Sequence, residues 1–217
     1  MKNWETLLDK IWNGGKLFII FSVVIAVAYG LGTFKPNKYI TKKIEYTQEQ
    51  KTIEVLKRFG FKTPTFKYKN QKEFVYAVQN CVDYLNLTLA ENKRIPDKII
   101  IAMADVESAS GTSRFATEGN ALFGVRTWDP KIPQMKPQAI PNAVFGVRKY
   151  KSKCQSVGDV IDILNRHPAY KDFRNERDKQ IHNAYWNYEK LIPLLAPWST
   201  NPDYGKIILA RMKELKL

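Results

Sequence analysis

Residues 94–125, RIPDKIIIAMADVESASGTSRFATEGNALFGV, constrain the fold more than any other part of the chain. Residues 99–106 are apolar nearly all round, and a helix without a polar face belongs at the centre of a domain. Pro96 stands where the first turn of such a helix accepts a proline. The helix reaches a carboxylate, Glu107, and gives way to Ser108, Ala109, Ser110, Gly111, Thr112 and Ser113. Burial and the partial negative charge at a helix C-terminus both disfavour ionisation of such an acid. A raised pKa is what a general acid near neutral pH requires. The small residues leave volume beside the carboxyl for a bulky ligand, and Gly111 permits a sharp turn. The pattern reads as an acid on the floor of a cleft. The same residues also admit a structural glutamate that bonds backbone N–H groups or an arginine such as Arg114.

Around this centre the chain reads as helices, a small β lobe, then helices again. Helical spacing predicts helices over 47–60, with Gly60 as a stop, and over 71–92, with an apolar face of Phe74, Val75, Val78, Cys81, Val82, Leu85 and Leu87. Residues 121–126 and 143–150 are rich in β-formers and predict a hairpin-like lobe. Between them Pro130, Pro133, Pro137 and Pro141 predict an extended loop. Helices are expected over 156–167 and 184–196, and again from Pro202 to Leu215. The fold class is therefore mainly α with a small β lobe.

Residues 17–34, LFIIFSVVIAVAYGLGTF, form a charge-free run between Lys16 and Lys35. Its length is at the short end of the roughly 17–25 residues of a spanning helix. It reads either as a retained membrane anchor or as a signal peptide with a small-x-small site at 26–28. The expected organisation is an anchor or signal over 1–34, a linker and short helix over 35–70, and the main domain over 71–217. Lysines at 35, 38, 42, 43 and 51 outnumber those before the run and lean towards a cytoplasmic body.

The net charge of +14 predicts attraction to a polyanion: nucleic acid, anionic lipid or an anionic wall polymer. No zinc-finger spacing and no aromatic-basic RNA signature is present, so no nucleic acid partner is expected. Cys81 and Cys154 have no metal-ligand spacing, nor do His167 and His182, so no metal and no cofactor are expected. The two cysteines can pair only in an oxidising compartment, and the sequence does not show their proximity.

The segment ESASGTSRFATEGNALFGV closely resembles the core motif of bacterial glucosaminidases, glycoside hydrolase family 73, in its Bax-like subgroup. The family pattern E-S-x-x-G-x-S, a spacer, then N-x-L-F-G falls on Glu107, Ser108, Gly111, Ser113, Asn120, Leu122, Phe123 and Gly124. Further matches follow in order at 148–164, 167–174 and 199–212, so the resemblance covers about residues 94–217. It implies a lysozyme-like fold with a sugar groove. It also implies cleavage of the β-1,4 bond on the N-acetylglucosamine side of peptidoglycan, with Glu107 as proton donor. Ser108, Ser113, Asn120, Trp128, Tyr150 and Tyr204 are its candidate substrate contacts.

Glycosidases usually need a second acid. Asp129 is the candidate base, although an Asp before Pro is also a turn former. Glu118 is a further candidate, and the substrate's own 2-acetamido oxygen is a third route. Two rival functions stay open: lytic transglycosylase or muramidase-type cleavage, and non-catalytic wall binding at a membrane tether. Localisation at the membrane with the catalytic domain outside the cytoplasm, or export after signal cleavage, is the expectation. It conflicts with the lysine bias.

Overall fold

A computed structural model of the chain describes residues 2–30, 38–183 and 185–217. The chain divides into two compact units, Met1–Lys51 and Thr52–Leu217. The first contains helix α1 (Lys2–Gly30) and the start of α2 (Lys38–Arg58). Residues 38–46, expected as linker, are helical. Between Lys38 and Arg58 there is no glycine or proline to interrupt the helix.

The anchor expectation meets a limit in α1. Of the apolar run, residues 17–30 are described and lie in this helix. Among the described residues no helix is long and apolar enough to cross a membrane. Residues 31–34 of the run lie outside the described residues.

The second unit is mainly helical with one small sheet. Helix α3 (Gln71–Thr88) begins at Asn70, whose side chain accepts from Glu73 N at 2.9 Å, while Glu73 accepts from Lys69 N at 2.7 Å. This reciprocal capping satisfies N–H groups that the first turn leaves without partners. Phe74, Ala77, Val78, Cys81 and Val82 form its buried face, but the helix ends at Thr88, and Leu87 is exposed. Helix α4 (Asp97–Ser108) is the central rod, buried from Ile99 through Asp105 and packed against α3 and the last helix. Each fully buried isoleucine there is worth about 2 kcal/mol of hydrophobic stabilisation.

A short helix, α5 (Arg114–Gly119), leads into the lobe. Strands β1 (Arg126–Thr127), β2 (Gln134–Met135) and β3 (Gly146–Arg148) pair antiparallel in the order β1-β3-β2. The lobe is thus a three-stranded sheet, not a hairpin of 121–126 on 143–150. Ala121, Leu122 and Phe123 are buried in the helical core, and the proline-rich loop supplies β2.

Helix α6 (Lys153–Arg166) is capped by Ser152, which accepts from Gln155 N. A disulfide joins its Cys154 to Cys81 of α3, with both residues buried and Cα atoms 5.6 Å apart. After α7 (Lys171–Gln180) the expected helix over 184–196 is replaced by α8 (Tyr188–Leu191) and a 3-10 stretch, Ile192–Trp198. Pro193 and Pro197 lack the N–H groups an α-helix would need there. Helix α9 (Tyr204–Glu214) closes the core with Tyr204, Ile208 and Met212.

Candidate active site

Glu107 is the penultimate residue of α4 and is half-buried. The backbone just beyond it requires small residues. Ala109, Ser110 and Gly111 all have positive φ, at 51°, 53° and 78°. The left-handed conformation costs an ordinary L-residue roughly 1–2 kcal/mol, so the turn needs support. Ala109 N and Ser110 N donate to Asp105 O, Gly111 N donates to Ser108 Oγ at 2.7 Å, and Tyr68 Oη donates to Gly111 O at 2.7 Å. The chain thereby leaves α4 abruptly and exposes the end that carries the acid.

Gly111 is required for a second reason. A Cβ at this position would lie 2.5 Å from Tyr68 Oη and 2.6 Å from Phe74 Cε2. Gly111→Ala is expected to cost at least about 2 kcal/mol, from backbone strain and overpacking together. Urea denaturation would read this as a lowered midpoint, and an unchanged midpoint would mean that the turn relaxes at no cost.

Burial pushes the Glu107 carboxyl up from its ordinary pKa, while Tyr204 and Trp198 oppose the shift by stabilising the charged form. Tyr204 is the first residue of α9, and Trp198 ends the 3-10 stretch before it. The Tyr204 hydroxyl is buried and makes no close, well-aligned hydrogen bond, yet it lies near enough to Glu107 to act on its charge. Its own pKa is driven upward by burial and by the Glu107 charge, which keeps the hydroxyl protonated as a donor. Trp198 is held edge-on to Phe123, with ring centroids 6.4 Å apart. Arg114 does not plug the acid: it pairs with Glu118 at 3.4 Å and donates to Lys136 O at 2.6 Å.

The remaining expected site residues divide by their surroundings. Trp128 is 63% exposed at the end of β1, its ring 6.0 Å from that of Phe145. This leaves an aromatic face available to a ligand. Asp129 is exposed, and its Oδ1 accepts from Lys131 N at 2.9 Å, the turn that an Asp before Pro makes. Ser108 corrects an expectation. It is fully buried, with its hydroxyl committed to Ala104 O and Gly111 N, so it builds the turn and presents no surface to a ligand. Ser113 caps α5 by accepting from Ala116 N.

Asn120 is the left-handed cap that ends α5. It donates to Tyr150 O at 3.0 Å and accepts from Lys153 Nζ at 3.3 Å, tying the lobe to α6. Tyr150 donates to Asp159 Oδ2 at 2.6 Å, and Arg148 pairs with the same carboxylate at 3.0 Å. Burial and then Asp159 push the Tyr150 hydroxyl far above its usual range.

Of the expected residues, the structure brings Tyr204 to Glu107. Sequence reading missed Trp198, Asp159 and Asp105. The signal for Trp198 was an aromatic within a proline-interrupted stretch directly before a family motif. Asp105 was hidden by its place in an apolar run.

Residues 85–217 match the glucosaminidase family, described as mannosyl-glycoprotein endo-beta-N-acetylglucosaminidase, and the chain belongs to that family. It is 35% identical over 83 residues to the protein bax of Escherichia coli (strain K12). That match covers 38% of this chain and 28% of the relative, so it spans under a third of the relative's length. In fold it is similar to the catalytic domain of the autolysin Auto from Listeria monocytogenes, with a TM-score of 0.50 at 18% identity over 72% of this chain and 88% of that one. A peptidoglycan hydrolase from Sphingomonas sp. A1 gives a TM-score of 0.49 at 17% identity, over 67% and 90%.

Proposed function

We propose that this chain is a peptidoglycan hydrolase that cleaves the β-1,4 bond on the N-acetylglucosamine side, with Glu107 as general acid. The observation that carries the reading is the desolvated Glu107 carboxyl at the end of α4, faced by the Tyr204 hydroxyl and the Trp198 indole. A carboxyl whose pKa is raised by burial is suited to deliver a proton to the glycosidic oxygen as the C1–O bond breaks. Its carboxylate is then stabilised by the same two donors. The exposed Trp128 ring suits stacking on a sugar face.

Burial, Tyr204 and Trp198 act on Glu107, and a glycosidase needs a second group besides its acid. Two routes would supply it: a water activated from across the groove by Asp129, or attack by the substrate's 2-acetamido oxygen. Proton NMR of the first-formed anomer separates them, since inversion requires the base and retention requires the acetamido group.

Mass spectrometry of digested sacculi tests the reaction itself. Reducing N-acetylglucosamine ends are expected. Anhydro-muramic ends would make the chain a lytic transglycosylase, and intact sacculi would leave it a wall-binding protein.

The net charge of +14 supports accumulation at an anionic wall. Placement outside the cytoplasm is supported by the buried Cys81–Cys154 disulfide, because cytosolic thiols are kept reduced. The N-terminal anchor remains a reading of residues 17–34 as a whole, supported by the exposed apolar side chains from Leu17 to Val27 on α1.

A further inference from the structure

Asp105 is a buried carboxylate that proton donation by Glu107 leaves without a role. It is 2% exposed and stands among the apolar residues of α4. Gln71 Nε2 donates to its two oxygens at 3.1 and 3.0 Å, and Ser110 Oγ donates to Oδ1 at 2.8 Å. Arg211 Nε lies 3.4 Å from Oδ2. One side chain thus joins the start of α3, the left-handed turn and α9. Its backbone carbonyl accepts two further N–H groups of the same turn.

Taking a carboxylate out of water is costly unless it is paired, and packing alone would be served by an apolar residue here. Asp105 and Glu107 are two positions apart, so their side chains leave α4 on opposite sides. Tyr204 and Arg211 are two helical turns apart and share a face of α9. Arg211, which also pairs with Glu214 at 3.1 Å, thus links Asp105 to the face of α9 that carries Tyr204.

We infer that Asp105 is a positioning residue: it holds the turn behind Glu107 and, through Arg211, seats α9 so that Tyr204 faces the acid. This rests on the hydrolase reading of Glu107. Asp105 does not meet the sugar.

The test uses the full chain with Asp105→Asn, Arg211→Met and the double variant, each checked for cooperative unfolding. Asp105→Asn is expected to lower kcat about tenfold or more, since small misplacements of catalytic groups are that costly, with KM nearly unchanged. The limb of the pH profile set by Glu107 should move to higher pH, because the Tyr204 contact that favours its carboxylate is loosened. Arg211→Met should move it the same way, and the double variant should be no worse than the worse single.

For Asp105→Asn a through-space charge effect predicts the opposite sign, because a negative charge near Glu107 is removed while Arg211 keeps its pairing with Glu214. A limb that stays or falls in the folded variants, or losses that simply add, overturns the inference. If Asp105→Asn does not fold, Gln71→Met at an exposed position carries the test, because it removes two hydrogen bonds to Asp105 without changing any charge. Wild-type protein that releases no sugar ends defeats the hydrolase reading and this inference together. Wild-type activity lost in Glu107→Gln, with both positioning variants titrating like wild type, defeats the inference alone.

Discussion

Glu107→Gln is expected to lower kcat on glycan strands by about 100- to 10,000-fold, the range a positioned general acid contributes, while strand binding persists. Glutamine keeps the volume and one carbonyl acceptor for Tyr204 or Trp198, but it has no proton to give. The same substitution has a stability signature. Glu107 is raised in the folded state, so its ionisation opposes folding. The group's favourable contribution is fully present below its unfolded pKa and is lost as pH rises through the folded pKa. Glu107→Gln should therefore stabilise the protein at neutral pH and give no advantage in acid. Wild-type rates of sugar-end release from sacculi by the variant would falsify the role of Glu107.

Loss of the Cys81–Cys154 disulfide is the second large effect. The bridge closes a loop of 73 residues, and the chain entropy of such a loop is worth about 4 kcal/mol. In a domain of this size that is a drop in Tm of roughly 10 °C. The paired Cys81→Ser and Cys154→Ser substitutions should show it in calorimetry. Both sulfurs are buried, so reductant should act on the native protein only as fast as the α3–α6 contact opens. A Tm equal to that of wild type, with the bridge confirmed present in wild type by mass, would remove the disulfide as a stabilising element.

Several features were legible because they are local. The all-round apolar pattern of residues 99–106 is a property of one segment, and it placed α4 at the centre. The order of helices, lobe and helices followed from period and from proline clusters. Where the reading failed, tertiary packing overruled composition. Residues 121–125 are β-formers, yet burial of Ala121, Leu122 and Phe123 took them into the core. The lobe's third strand came from a loop whose prolines hid Gln134 and Met135. Small residues after Glu107 signalled room for a ligand, but left-handed φ at Ala109 and Ser110 was not visible. Nothing in an Ala-Ser pair requires that conformation until Asp105 and Tyr68 hold it.

By itself the sequence determined that a carboxylate would end a buried helix and that a tight reversal would come after it, because both depend on neighbours along the chain. Tertiary structure alone decided which groups meet that carboxylate. Tyr204 and Trp198 reach it from the far end of the chain, Cys81 finds Cys154, and Asp105 gathers Gln71, Ser110 and Arg211. Periodicity reports which face of an element is apolar. It carries no information on which distant faces pack together, and the pKa of a buried acid is set by that packing.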